Sequence, residues 1–195
     1  MGTETVKSTT HHPPPTIRIL GIDPGIAATG WGVIDKAGEK LRLVEHGAII
    51  TSAGDAHHER LFHIYCQLLE VIDALKPDAA AVEELFGGVN IKTALSVGQA
   101  RGVAVLACAG RGLAPHDYTP LRIKQAVAGY GRAGKGQVQQ MVKALLGLAR
   151  APEPDHAADA LAVAICHAHS AHPSAIVAAR DRAVSGRRKD LAFPA

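Results

Sequence analysis

The sequence predicts an α/β domain, a mixed sheet of five strands flanked by helices, over residues 17–171. Three observations carry that prediction. Runs of Val, Ile and Leu broken by turn residues crowd the first fifty positions, as consecutive strands do. Further on, apolar residues change to gaps of three and four, which is the helical period. Two more short apolar runs, AAAVEEL and APHDYTP, then fall between helical stretches, which gives strands and helices in alternation.

IRILGID, residues 17–23, is the first strand, and Pro24-Gly25 stops it because Pro cannot continue a ladder and Gly permits a sharp turn. GWGVIDK and LRLVEHGAII follow as strands, and KAGEK suits a hairpin between them. From His57 to Leu75, Leu61, Tyr65, Leu68, Ile72 and Leu75 define one helical face, which Pro77-Asp78 ends. AAAVEEL reads as a buried strand. NIKTALSVGQARGVAVLACAG is a long helix whose Ala and Gly allow close packing, and APHDYTP is a short final strand.

Three helices close the domain. They are LRIKQAVAGY, then GQVQQMVKALLGL with a stripe of Val138, Met141, Val142 and Leu145, then DHAADALAVAICHAH. The last has a stripe of Ala157, Ala160, Leu161, Ala164, Ile165 and Ala168. This order fits the ribonuclease H-like fold, although the string of elements fits several others as well. Residues 1–16 read as a disordered leader without the apolar stretch of a signal peptide, and residues 172–195 as a disordered basic tail.

At 195 residues the chain suits one well-cored domain with tails. Hydrophobic residues make up 47% and aromatics only 4%, so the core is built from Val, Ile, Leu and Ala. The net charge of +3 is mildly basic, and clustering says more than the sum. Cys66, Cys108 and Cys166 form no CxxC pair and each lies in an apolar stretch, as reduced core cysteines of a cytoplasmic protein do. No apolar run approaches the ~20 residues needed to span a bilayer.

Asp23 ends an apolar strand, where a carboxylate is costly to bury unless something cationic receives it. Glu83 closes AAAVE, and Asp159 interrupts the Ala and Leu of the last helix. Three carboxylates at the edges of apolar elements suggest a divalent-metal site. Two ambiguities remain at this level. Glu83 and its neighbour Glu84 point to opposite strand faces, so only one of them joins Asp23. Asp155 and His156 both share a helix face with Asp159, and Asp155, after Pro152 and Pro154, also reads as a helix cap.

The runs GIDPGIAATGWGVI, AVEELF, ALSVGQARGVA, IKQAVAGYGRAGKGQVQQMV and HAADALAVAICHAH, in this order, resemble the RuvC family of Holliday-junction resolvases. The resemblance spans about Ile17 to Ser170. It implies a structure-selective endonuclease that makes paired symmetric nicks in recombination and repair. Two divalent ions per subunit, Mg²⁺ or Mn²⁺, would assist phosphodiester hydrolysis. The family's four catalytic, metal-binding positions carry over as Asp23, Glu83, His156 and Asp159, with Asp23 bridging. The resemblance thus selects Glu83 over Glu84, and the three-residue spacing to Asp159 selects His156 over Asp155. The third position is acidic in the most familiar pattern, and imidazole there suits the softer Mn²⁺ better.

Arg122, Lys124, Arg132, Lys135 and Lys143 crowd a glycine-rich stretch before and within the GQVQQMV helix, as phosphate contacts require. Lys124 and Lys135 match basic positions that the family associates with catalysis and DNA contact. Phe86 stands where a family aromatic engages bases at the crossover, and otherwise reads as a core residue. The resemblance further implies a homodimer through the NIKTALSVGQARGVA helix, where Gly98, Ala100, Gly102 and Ala104 would allow close approach. It also implies cooperation with the RuvA–RuvB branch-migration complex. An alternative is a junction-binding protein with weak or absent catalysis, since His156 replaces an acid. An ATPase is excluded on two grounds. Gly129–Lys135 has the G-x-x-x-x-G-K spacing, but Gly136 stands where Ser or Thr must hold Mg²⁺, and the chain lacks length for a second lobe. Among the remaining histidines, His167, His169 and His172 are expected at the last helix's C-terminus, where cationic imidazole suits the dipole.

Overall fold

The structure, a computed structural model, describes residues 15–84 and 91–171. Phe86, the expected tail and the expected leader up to residue 14 lie outside the described residues. In chain order the elements are β1 (Thr16–Asp23), β2 (Ala28–Ala37), β3 (Lys40–Ile50), α1 (His57–Leu75), β4 (Ala79–Glu83), α2 (Ile91–Gly110), β5 (Pro115–Tyr118), α3 (Pro120–Ala128), α4 (Lys135–Leu145) and α5 (Asp155–Ser170). The five strands form one sheet in the order β3-β2-β1-β4-β5. β1 is central, antiparallel to β2 and parallel to β4. This is the mixed sheet of the ribonuclease H-like fold.

Alternation along the strands builds two cores. Ile17 and Ile19 of β1, with Ala79 and Ala81 of β4, pack toward α3, α4 and α5. Leu20, Ile22, Ala80 and Val82 pack toward α1 and α2 on the other face. Local signals set the helix ends. Lys76 takes the left-handed conformation at the end of α1, ahead of Pro77. Thr119 accepts from Arg122 N–H at 3.3 Å to cap α3, Pro120 starts it, and Gly129 at φ 83° stops it.

In α1 Leu68 and Ile72 of the expected face are buried, Tyr65 and Leu75 pack half-buried against the same core, and Ile64 joins them as a third fully buried residue. Two expectations are corrected. Ala100 and Ala104 of α2 are fully buried inside this chain and cannot meet a partner helix; Gly102 faces outward. His167 is fully buried rather than a cation at a helix end, because β5 covers it. Tyr118 Oη lies 2.9 Å from its Nδ1, and the His116 ring packs at 4.7 Å. Lys36 of β2 reaches across to donate to the Ala168 carbonyl instead.

Burial, with the fields of His116 and Lys36 added, pushes His167 down to about 4. The unfolded imidazole binds its proton near pH 6.5 and the folded one only near pH 4, so protonation between them favours the unfolded chain. Stability from this group is complete above about pH 6.5 and falls by roughly 3 kcal/mol toward pH 4. Urea unfolding at pH 7 and 4.5 reads it: His167→Gln should flatten the fall, and an unchanged slope would reject the assignment.

Candidate metal centre

Asp23 is the last residue of β1, and the chain turns at once through Pro24-Gly25. Thr29, fully buried, locks that turn by donating its hydroxyl to the Gly25 carbonyl at 2.7 Å. Across the ladder Asp23 pairs with Gly30. A Cβ on Gly30 would fall 1.9 Å from the His156 carbonyl oxygen, so the first turn of α5 lies directly on the strand pair that ends in Asp23. Gly21 and Gly32, paired with each other, repeat this one step along. Their Cβ atoms would meet the Ala160 carbonyl at 2.1 Å and the Leu161 side chain at 2.6 Å. Glycine weakens a strand, and here it admits a helix backbone.

Sequence reasoning passed over these glycines and Thr29. The available signal was Gly30 and Gly32, two apart and therefore on one face of one strand.

That close approach brings the acidic stations together. His156 Nδ1 is 2.9 Å from Asp23 Oδ2, and one ligand atom from each of Asp23, His156 and Asp159 lies within 4.8 Å of the others. Asp159 follows His156 by one helical turn. Glu83 comes in from β4, next to β1. Its odd position shares the face of Ala79 and Ala81, which is the α5 side, so strand parity decides for Glu83. Glu84 lies beyond the strand end, exposed, its N–H bonded to the Tyr118 carbonyl at 2.8 Å.

Electrostatics follow from the crowding. Burial, then the charges of Asp23 and Asp159 and a hydrogen bond with Asp23, push Glu83 up to about 8, against an opposing pull from Lys124. Burial also raises Asp159, with the charge of Asp23 adding, although Lys135 Nζ at 3.1 Å works the other way. A buried carboxyl raised further by two neighbouring carboxylates marks a site short of positive charge. Oxygen donors with one imidazole are the set that Mg²⁺ or Mn²⁺ takes. The residues present therefore fit a divalent cation.

Asp155 is not the helix cap. Pro154 occupies that position, and Asp155, the first helical residue, turns outward to α4. There it accepts from Gln139 at 2.9 Å and pairs with Lys135 at 3.2 Å. Those bonds, Lys135 first, hold its carboxyl below the usual range.

Lys135 thus spans Asp155 and Asp159. With Lys124, Glu83 and Asp159 it rims a cavity of about 290 Å³ whose floor includes Ile123 and Val138. Arg122 stands outside that cavity with its guanidinium 5.9 Å from the Tyr118 ring centre. Arg132 is exposed in the loop before α4, and Lys143 lies in the last turn of α4.

A mixed sheet of this order, with a carboxylate cluster at the end of its central strand, defines a ribonuclease H-like nuclease. The sequence model of the family described as crossover junction endodeoxyribonuclease RuvC matches residues 19–167. This chain belongs to that family. The crossover junction endodeoxyribonuclease RuvC of Chloroflexus aurantiacus is 58% identical over 155 residues, covering 80% of this chain and 94% of that one. The solved structure of Thermus thermophilus RuvC superposes with a TM-score of 0.72 at 40% identity, over 78% of this chain and 94% of that one. A T. thermophilus RuvC structure in complex with Holliday junction substrate also gives 0.72, at 38% identity and the same coverage.

Proposed function

We infer that this chain is a structure-selective endonuclease that resolves Holliday junctions by paired symmetric nicks, in DNA recombination and repair. The observation that carries the reading is the convergence of Asp23, His156 and Asp159 beside Glu83, whose carboxyl is pushed up by burial and by the charge of Asp23. These four residues would hold divalent cations, Mg²⁺ or Mn²⁺, two per subunit. Bound there, such cations would supply Lewis-acid polarisation of the scissile phosphate and a hydroxide nucleophile at neutral pH.

The contacts of Asp23 with His156 and Glu83 support the reading that Asp23 would be the shared ligand. Burial first, then the charges of Asp23 and Asp159, raises Glu83, and a cation held there would favour its charged form. Lys124 and Lys135, on the cavity rim, orient the phosphate. Arg122 and Arg132, both exposed, contact the DNA backbone further out. Phe86 is proposed for base contact at the crossover on the family resemblance alone.

A junction presents two equivalent strands, so a two-fold homodimer matches its symmetry. Ile91, Leu95 and Leu106 are 88%, 64% and 60% exposed, and with Gly102 they recur at helical spacing along α2. That stripe is the face we assign to the dimer. Cooperation with the RuvA–RuvB complex in the cytoplasm completes the reading. No helix among the described residues is long and apolar enough to cross a membrane.

A nicking assay on a synthetic four-way junction, in Mg²⁺ and in Mn²⁺, tests the site. Mn²⁺ should outperform Mg²⁺ because His156 is a neutral, softer ligand, and His156→Asp should narrow the gap. An unchanged metal preference in His156→Asp would remove His156 from the ligand set. Tight binding without nicks in either metal would favour the junction-binding alternative.

A further inference from the structure

The loop between α3 and α4, residues 129–134, carries groups that the metal centre does not use. Tyr130 there is 48% exposed. It borders an open groove of about 600 Å³, together with Ala128, Gly136, Gln140 and Met141. The walls include a ring, a thioether and two glycines, so the groove suits something flat. Two polar side chains line it: Gln137 accepts from Gly134 N–H at 2.8 Å, and Gln140 is exposed with no side-chain hydrogen bond among the described residues.

Charge narrows the occupant. Arg132, in the same loop, is exposed and has no ion pair among the described residues. An apolar groove and, in the same loop, a guanidinium without an ion pair among the described residues complement a base attached to a phosphate.

Position narrows it further. Gly134 and Gly136 line the groove, while Lys135 between them reaches Asp159 at 3.1 Å. The groove thus lies one residue along the chain from a side chain that borders the metal centre.

Gly136 is an independent indication. It is the second residue of α4, with no positive φ, and a Cβ there would meet nothing within 4 Å. Nothing in the packing requires a glycine at that point, and the space a side chain would take is the groove.

We propose that this groove is a nucleobase subsite in which Tyr130 stacks on an unstacked base of the strand being cut. Gln140 contacts the edge of that base, and Arg132 holds the adjacent phosphate. The subsite rests on the nuclease reading above and adds to it a contact that sets where along the strand the cut falls.

The test uses junctions with single abasic sites stepped along each side of the cut. On the intact junction Tyr130→Ala should weaken binding roughly fivefold to a hundredfold and spread the cut positions, while Tyr130→Phe should retain both. At one abasic position wild type should lose the same factor, and Tyr130→Ala should lose nothing more. Gly136→Leu, with an unchanged melting temperature, should reproduce the loss by filling the groove.

Wild-type affinity and cut positions in Tyr130→Ala would overturn the subsite alone, as would additive losses at every abasic position. Such results would leave the groove to a protein partner. A wild-type chain that neither binds nor cuts junctions would overturn the nuclease reading and the subsite with it.

Discussion

Asp23→Asn should reduce junction cleavage by on the order of 10³-fold or more while leaving junction binding intact. The substitution keeps size and shape, so the turn through Pro24-Gly25 and its Thr29 lock should persist. What it removes is the charge that lies against His156 and Glu83. The phosphate contacts proposed for Lys124, Lys135 and the exposed arginines do not run through Asp23, which bonds to His156. In metal-free buffer the variant should melt no lower than wild type, since the charge of Asp23 is one of the causes that raise Glu83. Cleavage near the wild-type rate would remove Asp23 from the chemistry. Loss of binding in parallel would make its role structural.

The second large effect is expected from a residue with no functional group. Gly30→Ala adds one carbon at a point 1.9 Å from the His156 carbonyl oxygen. Backbone occupies that point, so α5 must lift by more than an ångström, carrying His156 and Asp159 away from Asp23. Overpacking of this kind costs about 1–3 kcal/mol, and a misplacement near 1 Å costs about 10²-fold in rate. Gly110→Ala is the control, because its Cβ would meet only Tyr65 Oη at an ordinary 3.9 Å. Circular dichroism melts and cleavage rates together check the result. A Gly30→Ala protein with wild-type rate would show that α5 need not sit so close.

The sheet and helices were legible because each announces itself locally, by alternation in β1 or by Pro77 after α1. Sites where another element decides were less so. Glu83 and Glu84 are equivalent as letters; parity with Ala79 and Ala81 chooses between them only once α5 is known to cover that face. His167 sits where a helix end invites a cation, yet β5 brings Tyr118 and His116 onto it and Lys36 serves the C-terminal carbonyl instead. Asp155 has the composition of a cap, but Pro154 takes the cap position and α4 supplies Lys135 and Gln139 as partners. The α5 stripe held, although the helix is buried nearly all round, because α3 and α4 close over the side away from the sheet. Asp23, Glu83, His156 and Asp159 were selected by motif resemblance. Their nearness depends on Gly21, Gly30 and Gly32, which a residue-type search does not weigh.

The most direct measurement compares a labelled four-way junction with a linear duplex of the same sequence, with divalent metal and with chelator. The account predicts symmetric nicks in two opposed strands of the junction, dependent on Mg²⁺ or Mn²⁺, and little cutting of the duplex. A junction that is bound but uncut in both metals, or cut equally with chelator present, would contradict it.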